Sequence, residues 1–230
     1  MDKVSFIIPN SHKLTNDISI HSEVSPNLFL FYFDENELYN SIYLLYNYAC
    51  IELRSDLQKA FKTFIICKQL INDDTEHDVK YEIYINLALL VSKIEKDNIN
   101  DVFKYYEEAS NIFPDRTEPY YYLSIYCNKI GQFEKAYNLI KKALTFNYNT
   151  SKHTYPNTQF TAYGKYLYDE LSVSCYFLHK YDECKILLEQ IINDSDFAHS
   201  KTRLTNNLFI INNKLNNSSY HECQFESENH

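Results

Sequence analysis

The stretch Thr117–Tyr148 constrains the fold most, because two amphipathic segments meet there at Gly131. In each segment small or apolar residues recur every three or four positions, which is the period of one face of an α-helix. Gly131 supplies the freedom to leave a helix through the left-handed region. The two stripes are Tyr120, Leu123, Ser124 and Cys127, then Phe133, Ala136, Ile140 and Ala143. The stretch therefore predicts a helical hairpin.

The sequence also predicts where the first helix of this hairpin begins and where its two helices cross. Thr117 is the expected N-cap, and Pro119 fits a first turn, where the N–H that proline lacks would be unpaired anyway. Ala136 and Ala143 are small where two helices would cross closely. A larger side chain at either alanine should overpack the contact and cost about 1–3 kcal/mol.

These residues resemble the tetratricopeptide repeat (TPR), a helix-turn-helix unit of 34 residues. Tyr148 stands where the family places a closing proline, and Ser124 keeps its small residue after the leucine. The signature positions are filled by Tyr120, Leu123, Gly131, Phe133, Ala136, Ala143 and Leu144. The resemblance implies an all-α fold, a right-handed α-solenoid of TPR-like helical hairpins.

Similar patterns precede and follow the central hairpin, so the predicted solenoid covers residues 35–215. Ala109 lies 34 residues before Ala143, which places the two second helices in register. Cys184 and Ile191 replace the two alanines in the last hairpin, which predicts looser packing there. A polar insert at 149–161 separates that hairpin from the central one. The other predicted helices span about 35–53, 55–71, 79–95, 101–113, 160–178, 181–193 and 201–215.

The two ends of the chain lack this pattern. Residues 1–34 are predicted to form an irregular or extended segment with short strands or an arm, and residues 216–230 a disordered tail. Ser55 with Gln58 predicts a capping box at the start of a helix. The first ten residues have too short an apolar core for a secretory signal, and no apolar run spans a membrane. We therefore expect a cytoplasmic protein.

Composition excludes several functional classes. The formal charge is -9 with no basic run, which argues against a nucleic-acid partner. Two glycines leave no room for a phosphate-binding loop, and no Cys-x-x-Cys pair is present. Cys175 and His179 lie one helical turn apart, but their positions match a core residue and a turn residue rather than metal ligands. We expect no cofactor, no metal and no enzymatic activity.

A second resemblance covers about residues 101–215. It rests on Arg116-Thr-Glu118, Tyr163, Tyr166, Tyr168-Asp-Glu-Leu-Ser, Tyr176, Arg203 and Asn207-Leu-Phe209. Together these are similar to the helical-repeat region behind the catalytic domain of some bacterial and giant-virus glycosyltransferases. The match does not extend to the catalytic domain. The resemblance implies a non-catalytic module of a glycosylation system.

In tetratricopeptide stacks the first helix of each hairpin lines the concave face. Tyrosines on that face would offer flat apolar area and a hydroxyl, which suits peptides or sugars. An alternative is that some of them pack against the insert. Asp169 and Glu170 are adjacent on one helix and point about 100° apart, so they do not converge for acid–base chemistry. The predicted partner-binding residues are Glu82, Glu118, Tyr121, Asn128, Lys129, Tyr166, Asp169 and Tyr176, with Ile85 and Ser92 on the same face.

The sequence thus predicts a non-catalytic scaffold that binds a protein or peptide partner through its concave face, linked to glycosylation. One alternative is an accessory module of a glycosyltransferase that contacts glycan or nucleotide sugar. Another is a self-assembling structural protein, because exposed end repeats can stack.

Overall fold

The computed structural model describes residues 35–94, 98–155 and 158–227, and within these ranges the chain is helical without strands. The predicted N-terminal segment, residues 1–34, lies outside the described residues. Ten α-helices occur in the described ranges: α1 Glu35–Glu52, α2 Leu57–Leu70, α3 His77–Ile94, α4 Ile99–Ile112, α5 Glu118–Lys129, α6 Phe133–Ala143, α7 Tyr148–Thr154, α8 Tyr166–Phe177, α9 Tyr181–Ile191 and α10 Lys201–Ser227. The all-α prediction is confirmed.

The described residues divide into two compact units, one that ends at Thr75 and one that begins at Glu76. In the first unit α1 packs against α2 through a small apolar core that includes Ala49, Ala60 and Cys67. The cap of α2 is Asp56 and not Ser55, because the Asp56 carboxylate accepts from the backbone N–H groups of residues 58 and 59 at 3.0 Å. A carboxylate one residue nearer the helix satisfies these free donors directly.

The second unit contains three hairpins, α3/α4, α5/α6 and α8/α9, followed by α10. The small residues predicted at the crossings are fully buried: Ala109, Ala136 and Ala143 are each 0% exposed. In the last hairpin Cys184 and Ile191 are also buried, and the Cys184 thiol donates to the Ser172 carbonyl at 3.2 Å. The sulfur therefore fills the crossing where we expected looser packing.

In the structure the insert comprises all of residues 144–165, between α6 and α8, and it has more structure than its polar sequence indicates. Asn147 caps the short helix α7, accepting from the N–H groups of Asn149 and Thr150. A 3₁₀ turn follows at Phe160–Ala162. Gly164 then adopts a left-handed φ of 58°, so α8 begins at Tyr166 instead of near residue 160. Seven-residue helices carry too little apolar periodicity to be read from sequence.

The last helix continues to Ser227, past residue 215 where we expected it to end. Leu204 and Ile211 bury its inner stripe against the end of the second unit. The apolar stripe of α10 stops near Leu215, so the apolar periodicity did not predict that the helix continues beyond that residue. The residues that follow are mostly polar and contain no proline or glycine to end the helix.

Candidate partner-binding face

The predicted binding residues lie on three first helices of the second unit. Helix α5 packs against both α3 and α8. Glu82 belongs to α3; Glu118, Tyr121, Asn128 and Lys129 belong to α5; and Tyr166, Asp169 and Tyr176 belong to α8. The structure thus gathers all eight on neighbouring helices. Of the two additional residues, Ile85 is buried, and the Ser92 hydroxyl donates to its own helix at the Leu89 carbonyl.

Asn128 joins α5 to α8. Its Nδ2 donates to the Glu170 carbonyl at 3.1 Å and to Glu170 Oε2 at 3.3 Å. Its Oδ1 accepts from the Ser174 hydroxyl at 2.8 Å. Both ends of the amide therefore bond to α8. Asn128 thus holds α5 and α8 together rather than pointing to a partner.

Glu118 is not available to a partner, which corrects its place among the predicted binding residues. Its side chain is 1% exposed and pairs with Arg116, whose Nη2 lies 3.0 Å from Glu118 Oε1. The insert supplies two further donors: the Gln159 N–H reaches Oε1 at 2.8 Å, and the Tyr163 hydroxyl reaches Oε2 at 3.1 Å. A buried carboxylate needs such compensation, so Glu118 serves the fold.

Arg116, the partner of Glu118, is buried, which is unexpected for a charged side chain. Its guanidinium lies 4.0 Å from the centre of the Tyr81 ring on α3 and 5.7 Å from the centre of the Tyr155 ring in the insert. Nε and Nη2 both donate to Glu118. The only signal in the sequence was the Arg-x-Glu run at the start of α5. Arg116 therefore connects α3, α5 and the insert.

The insert covers the N-terminal end of α5. The Tyr163 hydroxyl accepts from the Thr117 N–H at 3.2 Å. The Tyr122 hydroxyl donates to Gln159 Oε1, and the Tyr155 hydroxyl donates to Asp115. The insert is thus joined to this end of α5 through Tyr122, Tyr155 and Tyr163, and of the tyrosines predicted on the concave face Tyr166 contacts the insert, at the Phe160 ring. Thr117 forms no side-chain capping bond, contrary to expectation, and the insert occupies that end of the helix instead.

Tyr121 is a half-buried tyrosine on α5, which packs between α3 and α8. Its ring centroid lies 5.4 Å from that of Tyr122. Burial raises the pKa of Tyr121 above its ordinary range, and the negative charges of Glu170 and Asp169 raise it further. The Tyr121 hydroxyl is therefore subject to the negative charge of the acidic side chains of α8.

Two of the acidic and aromatic residues on α8 are engaged with the end of the unit. Asp169 forms a two-pronged ion pair with Arg203 of α10, with N–O distances of 2.9 and 2.6 Å. The Tyr166 hydroxyl donates to Asp196 at 3.0 Å, and its ring packs on Phe160 of the insert. In contrast, the Lys129 side chain is exposed. Tyr176, half-buried, packs against Phe177 at 5.2 Å between ring centroids.

The half-buried carboxyl groups of Glu82 and Glu170 differ from Asp169 in their surroundings and in their pKa values. Burial raises the pKa of Glu82 to about 7, with Arg116 opposing the rise and Glu118 and Asp78 adding to it. Burial likewise raises the pKa of Glu170, while the Asn128 amide opposes the rise. Within the part of the chain that the structure describes, neither carboxylate forms an ion pair.

Asp194 and Asp196 lie on either side of Ser195, and their carboxylates both bind a lysine. Lys165 Nζ lies 2.7 Å from Asp194 Oδ2 and 2.8 Å from Asp196 Oδ2. Among the described residues no group of three or more His, Cys, Asp or Glu side chains could hold a metal ion. This arrangement therefore joins the start of α8 to the segment before α10.

The chain is similar in fold to several solved structures. MamA (residues 41 to the end) from Desulfovibrio magneticus RS-1 has 10% identity and a TM-score of 0.58, over 81% of this chain and 92% of that one. BtubC (BKLC) from P. vanneervenii has 16% identity and a TM-score of 0.56, over 80% and 76%. A Podosopora anserina protein described as a kinesin light chain with nearly identical TPR-like repeats has 14% identity and a TM-score of 0.54, over 82% and 92%.

No family model matches the chain, and no curated protein matches it. Within the described residues, no helix is both long and apolar enough to cross a bilayer. At these identities the structural matches establish the fold alone. That fold is the TPR-like helical repeat predicted from the sequence.

Proposed function

We propose that this chain is a non-catalytic scaffold that binds a protein partner through the face formed by α3, α5 and α8. The observation that carries the proposal is the alignment of these three helices, with the half-buried Tyr121 on the middle one and acidic side chains on both neighbours. Repeat arrays present extended surfaces of this kind to partners. Tyrosine suits such a surface because it combines a rigid apolar ring with a hydroxyl.

The test is affinity capture with the double variant Tyr121→Ala, Asp169→Ala. The variant removes the aromatic area of α5 and the carboxylate that holds Arg203, so we expect it to lose partners captured by the unaltered chain. Circular dichroism should show unchanged helicity. A matched control is Asn138→Ala with Glu189→Ala, which alters two exposed residues of α6 and α9. Equal capture by all three proteins, identified by mass spectrometry, would remove the face from consideration.

An accessory role in a glycosylation system is the second candidate. Several residues that carried that resemblance are bonded to one another: Glu118 to both Arg116 and Tyr163, and Asp169 to Arg203. Their contacts support a shared structural module, with the insert fastened to α5 and α8 to α10. Calorimetry with a nucleotide sugar separates this candidate from the first, because heat of binding is expected only if the module contacts the sugar donor.

Self-assembly is the third candidate, favoured by two exposed apolar side chains on α10. Phe209 is 65% exposed and Ile210 is 42% exposed. If copies associate through this helix, light scattering should show a mass that rises with concentration and that Phe209→Ser reduces. A constant monomer mass over the whole concentration range would exclude this candidate.

A further inference from the structure

We propose that Phe133, Phe177 and Lys180 form a docking site for an extended segment of a protein partner that carries an apolar side chain and, two residues away, a carboxylate. The site lies where the α5/α6 and α8/α9 hairpins turn. None of its three residues was predicted to bind a partner, so the inference goes beyond the proposed function and is tested separately from it.

The apolar part of the site is a pair of stacked phenylalanines that join two successive hairpins. Phe133 is the first residue of α6, and Phe177 is the last residue of α8. Their ring centroids are 4.0 Å apart, and the ring planes differ by 9°. Phe177 remains 49% exposed, and Phe133 is half-buried. The pair therefore offers apolar area that a partner side chain would remove from water.

The Lys180 ammonium group lies beside this pair. Its Nζ is 3.7 Å from the centre of the Tyr137 ring. Phe133 and Tyr137 are four residues apart on α6, so they are neighbours on one helix face, with about 5–6 Å between their Cβ atoms. Phe177 contacts the first of these two neighbouring rings, and Lys180 contacts the second. An apolar group and a cation are therefore held side by side.

The positive charge of Lys180 has no carboxylate at ion-pair distance among the described residues, neither Asp182 nor Glu183. Glu183 instead accepts from the Tyr137 hydroxyl at 3.0 Å and from Lys141 Nζ at 2.5 Å. A carboxylate from a partner is the group complementary to Lys180. The ring beneath the ammonium group holds it in place before binding, which lowers the entropic cost of an ion pair.

The spacing of the two groups fits an extended partner segment. In an extended chain, side chains two residues apart point to the same side and are about 7 Å apart. This separation is close to that of two neighbouring positions on one face of α6, over which Phe177 and Lys180 lie. A segment with the pattern apolar-x-acidic can therefore contact both groups at once.

The experiment uses the full chain, ¹⁵N-labelled, and two short peptides with blocked ends. One contains Phe-Ser-Glu between glycines, and the other contains Phe-Ser-Gln, which has nearly the same shape without the charge. We expect millimolar binding of the acidic peptide, with amide shifts confined to the two turns. Phe177→Ser should weaken this binding roughly tenfold, because it removes the exposed aromatic area. Lys180→Gln should weaken it roughly three- to fivefold and abolish the preference for glutamate.

Two matched controls alter exposed residues elsewhere in the same unit. They are Ile186→Ser on α9, where the isoleucine is 56% exposed, and Lys201→Gln at the start of α10. Both should bind like the unaltered chain, and circular dichroism should show equal helicity in all four variants. The inference is overturned if the two peptides bind equally, if Phe177→Ser or Lys180→Gln binds unchanged, or if the controls weaken binding to the same extent. Absence of localised shifts at millimolar peptide would also overturn it.

Light scattering tests the alternative occupant, a second copy of this chain. A dimer mass that Phe177→Ser reduces to that of a monomer would make the site a contact between copies and overturn the inference. Failure of the peptide to bind, with partner capture that still depends on Tyr121, would refute this inference and leave the proposed function standing.

Discussion

His179 and Gly131 occupy the same left-handed turn in successive hairpins, with φ angles of 59° and 78°. The turns share one hydrogen-bond pattern: Lys180 N–H donates to the Cys175 carbonyl and Gln132 N–H to the Cys127 carbonyl, both at 2.8 Å. A side chain in this conformation costs about 1–2 kcal/mol, whereas glycine adopts it freely. The last hairpin therefore carries backbone strain at its turn that the central hairpin avoids.

His179→Gly is accordingly expected to raise the free energy of unfolding, by up to about 1 kcal/mol once the greater freedom of glycine in the unfolded chain is subtracted. Gly131→Ala should lower it by about 1 kcal/mol. Urea denaturation of the two variants measures both changes. His179 also lies 2.7 Å from the Tyr181 hydroxyl through Nδ1. A loss of stability in His179→Gly would mean that this side-chain contact outweighs the strain.

Removal of the Arg116 charge should be among the most damaging single changes. Arg116→Met leaves the Glu118 carboxylate buried without its cation, so we expect a loss of about 3–5 kcal/mol. Lys141→Met removes one member of the surface pair with Glu183 and should cost less than about 1 kcal/mol. Chemical denaturation compares the two. Similar losses would show that the buried pair contributes no more than a solvated one.

The insert should depend on one hydroxyl group. Tyr163→Phe deprives the Thr117 N–H of its acceptor and Glu118 of a donor, so we expect a loss of about 1–3 kcal/mol. Limited proteolysis should then cut within residues 148–162 more readily. Tyr137→Phe is the control, since it removes a part-buried hydroxyl bond that joins α6 to α9 at Glu183. Equal protection of the insert in both variants would contradict its dependence on Tyr163.

The raised pKa of Glu82 predicts a pH dependence of stability. Folded Glu82 keeps its proton up to about pH 7, whereas its ordinary pKa is 4.5, so the folded state binds more protons between these values. Stability should therefore fall as pH rises through this window. Glu82→Gln removes the titration, and its advantage over the unaltered chain should grow by about 2–3 kcal/mol from pH 5 to pH 8.

Unfolding free energies measured at both pH values test this prediction. Glu107→Gln, which alters an exposed carboxylate, should leave the pH profile parallel to that of the unaltered chain. Arg116, Glu118 and Asp78 are the charged groups that act on Glu82, and none of them is changed in either variant. Parallel profiles for Glu82→Gln would show that its carboxyl group is well hydrated.

The crossing points of the hairpins should tolerate no added volume. Ala136→Leu places a larger side chain at a position that is fully buried, and we expect a loss of about 1–3 kcal/mol. Ala198→Leu makes the same change at an exposed position and should have little effect. Thermal unfolding of the two variants provides the comparison. Equal melting temperatures would mean that the crossing can widen without cost.

The fold could be predicted because the crossing residues repeat at a fixed distance along the chain. Ala109 and Ala143 are both fully buried at positions 34 residues apart. The match of His179 to Gly131 was also visible, since the apolar stripes on either side fix the place of the turn. Periodicity of this kind depends on the helix alone and needs no knowledge of distant contacts.

The predicted site was less complete because its contacts join residues far apart in sequence. Glu118 meets Gln159 and Tyr163, which lie 41 and 45 residues away. Glu118 and Tyr121 are three residues apart on α5, so the helical period places both on the same face. Only the placement of the insert separates the buried Glu118 from the half-buried Tyr121.

The amide of Asn128 has a consequence for how this chain could vary. It fixes the alignment of α5 with α8 by bonding directly to the backbone at Glu170 and to the side chain of Ser174. The alignment of these two helices is therefore set by contacts between them, and it does not depend on the length of the chain that connects them. Residues added to the insert, away from the side chains that bond to α5, should leave the alignment of α5 with α8 unchanged.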